Sequence, residues 1–96
     1  MIIDPEGNEV LALERVTDWL GKQVLEIGCG DGRLTQRLAE LGASVVAVDP
    51  DPELVRRARK ELPERFATSV RFEAASAERL GHRDGRFDAV VFAWAL

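Results

Sequence analysis

The chain has little of what would mark several large classes of protein. A single cysteine, Cys29, means that no disulfide closes within it and that no cysteine cage for a metal exists. A cytoplasmic setting is the default expectation. No apolar run approaches the roughly 20 residues that a membrane helix requires, so no membrane partner is expected. The opening Met1-Ile2-Ile3-Asp4-Pro5-Glu6 lacks the basic stretch and long apolar core of a signal peptide. Basic charge is short as well: 13 Lys and Arg against 17 Asp and Glu leave a net charge of −4. Such a segment has no bulk attraction for a phosphate backbone, and nucleic acid is not expected as its partner. Internal repeats, low-complexity tracts and linkers are all missing. What is there, 96 residues of which 46% are apolar and 31% charged, reads as one small globular domain over 1–96.

Hydrophobic spacing predicts a helix over about 9–20, capped by Asn8, with Val10, Leu13, Val16 and Leu20 on its apolar side and Gly21 ending it. Val24-Leu25-Glu26-Ile27 is a short, mostly apolar run stopped by glycines, as a buried strand should be. A second helix is expected over about 32–41, with Leu34, Leu38 and Leu41 as its stripe and Gly42 closing it. Val45-Val46-Ala47-Val48 is a second strand, ending on Asp49 and covered on both faces. Asp51-Pro52-Glu53 starts a third helix that carries Leu54, Ala58 and Leu62 inward, turns Arg56, Arg57, Arg59 and Lys60 outward, and stops at Pro63. Val70 to Ala74 alternates as a third strand, Ala77 to Leu80 is one helical turn, and Phe87 to Ala93 is a fourth strand after the Asp84-Gly85 turn. Strands alternating with helices at this spacing imply right-handed parallel crossovers and an α/β architecture.

The chemistry concentrates after the first strand, in Glu26-Ile27-Gly28-Cys29-Gly30-Asp31-Gly32-Arg33. Glycines here let a ligand approach the backbone, and the next helix begins in the same place. An acid, Asp49, stands at the tip of the next strand, where a carboxylate can accept both hydrogen bonds of a ribose diol. This combination predicts a nucleoside site. Two features argue against a dinucleotide: Arg33 stands where that fingerprint needs a small residue, and Glu26 and Asp31 bracket the turn with negative charge that repels a diphosphate. The acids favour a cationic ligand.

The run Val24 to Thr35 resembles the first signature of class I S-adenosylmethionine-dependent methyltransferases. Val46-Ala47-Val48-Asp49 resembles their second signature, and Arg86-Phe87-Asp88-Ala89-Val90-Val91 their fourth. The resemblance implies an open parallel sheet with helices on both faces, the first half of a Rossmann-like fold, with strand order 3-2-1-4. It implies S-adenosylmethionine, or its product S-adenosylhomocysteine, as the small-molecule cofactor. Glu26 and the backbone of Gly28 and Gly30 would surround the methionine part, with Glu26 on the ammonium directly or through water, and Cys29 and Asp31 of the same turn belong to the implied cofactor site. Asp49 would take the ribose hydroxyls and Pro50 would lie against the adenine. Ala77 would offer its N–H to the ring, with the Phe92 carbonyl near the amino group. Where the family often has an aspartate before the Ala77 position, this chain has Ser76, a weaker acceptor.

Other reactive residues do not form a second site. Cys29 has no accompanying base, and its size suits the turn. His82 lies in a polar turn, the Arg and Lys residues of the third helix are interleaved with Glu53, Glu61 and Glu64, Trp19 is packing of the amphipathic first helix and Asp88 is a strand-start residue. Trp94 is compatible with lining a pocket or filling the core. No catalytic acid or base is identified, and no metal site. The chain stops at Leu96, just after the fourth strand, whereas the resembled enzymes continue through three more strands. The expectation is therefore a cofactor-binding half, a fragment or a reduced natural form, that is an inefficient methyltransferase alone and acts on a small-molecule acceptor when complete. A non-catalytic S-adenosylmethionine or S-adenosylhomocysteine module and an NAD-type half-domain are the alternatives. The fourth strand, apolar and unguarded, would be left as a bare edge and invites a homodimer.

Overall fold

The computed structural model describes residues 2–3, 18–76 and 86–93. Its elements are β1 (Ile2–Ile3), β2 (Gln23–Ile27), α1 (Arg33–Glu40), β3 (Ser44–Asp49), α2 (Pro52–Glu61), a 3-10 turn (Glu64–Phe66), β4 (Val70–Ala74) and β5 (Ala89–Phe92). The strands form one parallel sheet in the order β1-β5-β2-β3-β4. The expected 3-2-1-4 arrangement is thus present as β4-β3-β2-β5.

Each element has a local cause. Gly32 begins α1 in a left-handed conformation (φ 87°, ψ 14°) that Cβ-bearing residues avoid. The Asp51 carboxylate caps α2 by accepting the Glu53 N–H at 2.9 Å, and Pro52 supplies the first helical position. Leu34, Leu38 and Ala39 of α1 pack in one cluster with Val55 and Ala58 of α2 and with Val24, Val45, Phe72 and Val91 of the sheet. Both described helices therefore lie on the same face. The crossovers β2→β3 and β3→β4 step in the same direction, and right-handed connections in one direction share a face. The connection from β4 to β5 steps back across the sheet; residues 77–85 of it, with the expected turn at Ala77–Leu80, lie outside the described residues. The opposite face carries Leu25, Ile27 and Val48, with Val46, Phe87, Val90 and Phe92 beside them.

Several expectations are corrected. The helix expected over 9–20 does not include 18–20, which form a turn in which the Leu20 N–H bonds to Asp18 Oδ1 at 3.0 Å; its remainder lies outside the described residues. Leu20 is consequently 73% exposed rather than core-facing, whereas Trp19 is buried, though not from a helix. In α2, Val55 is the buried residue and Leu54 only half-buried. Arg59 is not simply solvated, because its guanidinium donates to the Phe72 carbonyl at 2.7 Å and ties α2 to the outer strand β4.

The fourth expected strand, β5, is not a bare edge. Ile2–Ile3 pairs with it in parallel, Ile2 opposite Val90 and Ile3 opposite Val91. On its other side the Asp88 carboxylate accepts the Gln23 N–H at 2.8 Å while the Asp88 N–H donates to the Gln23 carbonyl at 2.7 Å. This reciprocal pair sets the register of β5 on β2, the structural role expected of Asp88.

Candidate functional site

The parallel strands end together, and their carboxyl-terminal tips carry most of the residues singled out in the sequence. Ile27 is level with Val48 and with Phe92, and Asp49 with Ala74. The chain runs outward from β2 to β3 and β4, then returns to β5 on the other side of β2. Between β2 and β5 the order reverses, and such a reversal opens a crevice at the strand tips where open α/β sheets bind ligands. The glycine turn leaves β2 at that point.

The turn is lashed down by its own backbone. The Gly28 and Cys29 N–H groups both donate to the Val48 carbonyl, at 2.8 and 3.0 Å, and the Gly32 N–H donates to the Cys29 carbonyl at 3.0 Å. The Gly30 N–H donates to Asp49 Oδ2 at 3.0 Å, while Asp49 Oδ1 accepts the Asp51 N–H at 2.9 Å. Asp49 thus joins the turn to the loop ahead of α2, and acid and turn form one continuous rim.

Two glycines of this rim have different tasks. Gly32 faces inward: a Cβ there would lie 3.2 Å from the Ala58 Cβ and 3.3 Å from the Phe72 ring. It lets α1 approach α2 and β4. A Cβ on Gly30 would meet nothing within 4 Å. Gly30 borders open space, which is what a backbone approached by a ligand requires.

Beneath the rim lies an unusual acid. The Glu26 side chain is fully buried in β2, flanked in the sheet by Ala47 and Val91. Thr35 of α1, also fully buried, donates its hydroxyl to Glu26 Oε1, and Oε2 has no partner. Burial pushes the carboxyl up to about 8, with the Thr35 hydrogen bond pulling the other way. Cys29 is pushed up to about 12 by burial and by the neighbouring Glu26, Asp49 and Asp31 charges. A thiol held that far above neutrality is inert at physiological pH, which agrees with a small side chain chosen to fit the turn.

Of the other expected residues, Asp31 sits half-buried on the turn with exposed Arg33 at 3.6 Å, and Pro50 is exposed next to Asp49. Ser76 is half-buried two residues past β4, and Phe92 is half-buried at the tip of β5. The structure thus brings Gly28, Cys29, Gly30, Asp31, Asp49 and Pro50 onto one rim with Phe92 across the crevice. Ala77, His82 and Trp94 lie outside the described residues. No group of three or more potential metal ligands occurs among the described residues. Sequence reasoning missed Thr35. Its signal was there: a hydroxyl beside the apolar stripe of a helix, nine residues after a glutamate in an otherwise apolar strand.

The sequence profile of the methyltransferase domain family matches residues 24–96. The chain belongs to that family. Among relatives of this methyltransferase domain, an uncharacterized methyltransferase of Mycobacterium tuberculosis is 42% identical over 82 residues, covering 81% of this chain and 32% of the relative. A ubiquinone biosynthesis O-methyltransferase of Xanthomonas oryzae is 43% identical over 75 residues, covering 77% of this chain and 31% of that protein. Among solved structures, the magnesium protoporphyrin IX methyltransferase of Synechocystis, determined with bound SAM and with bound SAH, superposes with a TM-score of 0.72 at 29% identity. With SAM bound, that match covers 86% of this chain and 39% of the Synechocystis chain. The methyltransferase domain described here spans about a third of the length of these relatives.

Proposed function

We propose that the crevice above the glycine turn binds S-adenosylmethionine, and that the domain serves methyl transfer to a small-molecule acceptor together with the further residues that its longer relatives possess. The observation that carries the cofactor reading is the hydrogen-bond state of the turn. The N–H groups of Gly28, Cys29, Gly30 and Gly32 are all engaged within the chain, so these four donors of the turn are not free for a diphosphate. The rim side chains Asp31 and Asp49 are acidic, and a dinucleotide is disfavoured on both counts.

The groups present fit a cationic nucleoside. Gly30 leaves space at the backbone, and the orphaned Oε2 of Glu26 lacks a positive or donor partner. In this reading Asp49 accepts from the ribose hydroxyls, each of its oxygens keeping a lone pair beyond the backbone bond it already makes. Pro50 lies against the adenine, and Ser76, Ala77 and the Phe92 carbonyl serve its polar edge. Glu26 and the turn from Gly28 to Asp31 attend the methionine end. The bound cofactor supplies a methyl group made electrophilic by its sulfonium. The chain's contribution is to hold that group in place and exclude water, because methyl transfer needs alignment more than proton chemistry. The described rim offers no acid–base pair, so this segment alone is expected to turn over slowly.

No described helix is long and apolar enough to cross a membrane, and the one thiol is buried and unpaired, which suits a cytoplasmic setting. Nucleic acid is not proposed as a partner of this acidic segment. Equilibrium dialysis of labelled S-adenosylmethionine tests the cofactor reading. Displacement by S-adenosylhomocysteine and not by NAD is expected, and displacement by NAD at equal concentration would overturn it. Labelled methyl transfer to acceptors separates an enzyme from a binding module.

A further inference from the structure

Glu26 and Thr35 form a buried polar pair that packing does not explain. A carboxyl in the middle of a parallel sheet, with Ala47 and Val91 as its sheet neighbours, is costly to bury, and leaving one of its oxygens without a partner adds to that cost. An apolar residue of similar size would fill the space without this penalty. Unsatisfied buried groups of this kind in a native fold call for a role.

We propose that Thr35 is a positioning residue for cofactor binding: its hydroxyl holds one oxygen of Glu26 and leaves the other, buried oxygen without a partner until the ligand's ammonium reaches it, so that capture of that ammonium is coupled to release of a proton from Glu26. This rests on the cofactor reading given above and adds to it a residue, a direction of proton flow and a pH dependence.

The surroundings fix the sign. The titratable groups gathered at the turn are Glu26, Cys29, Asp31 and Asp49, all of them acids. The nearest cation among the described residues of the turn, Arg33, is exposed and faces Asp31. Among the described residues no positive charge is therefore placed to ionise Glu26 in the free chain. Burial raises its carboxyl to about 8, so it carries a proton at pH 7. The Cys29 thiol stays protonated throughout the range from pH 6 to 9. An ammonium arriving beside Glu26 favours the carboxylate, and the proton leaves to solvent. Thr35 donates to the charged form and makes that ionisation easier. Without its hydroxyl the carboxylate would be reached only at higher pH.

The experiment is calorimetry of S-adenosylhomocysteine binding from pH 6 to 9, in buffers of different ionisation enthalpy, with native chain, Thr35→Val and Thr35→Ser. For the native chain, affinity is expected to rise about tenfold per pH unit on the acid side and to level near pH 8, with close to one proton released at pH 7. Thr35→Val should move this limb upward by roughly one pH unit, about tenfold weaker binding at pH 7, and Thr35→Ser should restore it. The ligand's own amine titrates equally in all three, so a shift between variants reports the protein. 5′-Deoxy-5′-methylthioadenosine, which lacks the amino acid end, should bind with no proton released. Should Thr35→Val fail to fold, carbon-13 titration of the Glu26 carboxyl in the native chain, free and bound, reads the same linkage. S-adenosylhomocysteine binding that is flat with pH and releases no proton overturns the inference and leaves the cofactor reading intact. Absence of binding at every pH removes the cofactor reading, and the inference with it.

Discussion

Replacing the two central glycines of the turn by alanine should damage the molecule in opposite ways. Both have positive φ, 56° at Gly30 and 87° at Gly32, so either alanine bears a conformational penalty of about 1–2 kcal/mol. At Gly30 the added methyl enters open space, and nothing further is lost from the fold. At Gly32 it would lie 3.2 Å from Ala58 and 3.3 Å from Phe72, both buried and unable to retreat freely, and overpacking adds about 1–3 kcal/mol. Gly32→Ala is therefore expected to lose about 2–5 kcal/mol, enough to unfold a marginal small domain. Gly30→Ala should melt only roughly 4–15 °C lower. Its methyl stands where the ligand would approach, so S-adenosylhomocysteine should bind it at least about tenfold more weakly. Thermal melts followed by circular dichroism, paired with calorimetry, read both effects. Equal stability of the two variants would refute the packing argument, and native affinity in Gly30→Ala would take the ligand away from the turn.

Asp49→Ala should weaken S-adenosylhomocysteine by at least about tenfold in calorimetry through loss of charge-assisted bonds, and it should lower the melting temperature because the Gly30 and Asp51 N–H groups lose their acceptor. Glu26→Gln should flatten the pH profile of stability in denaturant titrations. The folded carboxyl holds its proton up to about 8, against 4.5 when unfolded, so the native chain loses stability as pH rises between those values and the glutamine variant does not. Cys29 should resist iodoacetamide at pH 8 in the folded chain and react promptly in denaturant, and stoichiometric labelling of the native protein within minutes would contradict its burial. Removing residues 1–3 should uncover the β5 edge at Val90 and Val91 and promote self-association, visible as a concentration-dependent shift in sedimentation; an unchanged sedimentation coefficient would show that β1 does not guard that edge.

The elements flanking the glycine turn were legible because their signals are local. Glycines bound β2, the Asp51-Pro52-Glu53 cap fixes where α2 starts, and alternation marks Val70–Ala74. The rim was legible for the same reason, since Asp49 ends a strand and the turn follows another. Pairings between distant segments were not. Nothing local in Ile2–Ile3 says that it will lie beside Val90–Val91, and a two-residue strand has no periodicity to detect. The exposure of Leu20 depends on the turn at Trp19–Lys22, which overrides the helical spacing that pointed it inward. Thr35 was hidden because a threonine beside a helical stripe reads as a boundary residue until the strand opposite is seen to carry a buried acid.

The rim from Gly28 to Asp31 and Asp49 is proposed to hold an adenosyl cofactor. Amide chemical-shift mapping during titration with S-adenosylhomocysteine locates the ligand residue by residue and so tests that placement. Saturable shifts centred on Gly28, Gly30, Asp31, Asp49 and Asp51 are predicted, with little change in α2. Shifts centred instead on the groove between α2 and β4, around Arg59, Leu62 and Arg71, or no saturable shift at millimolar ligand, would contradict it.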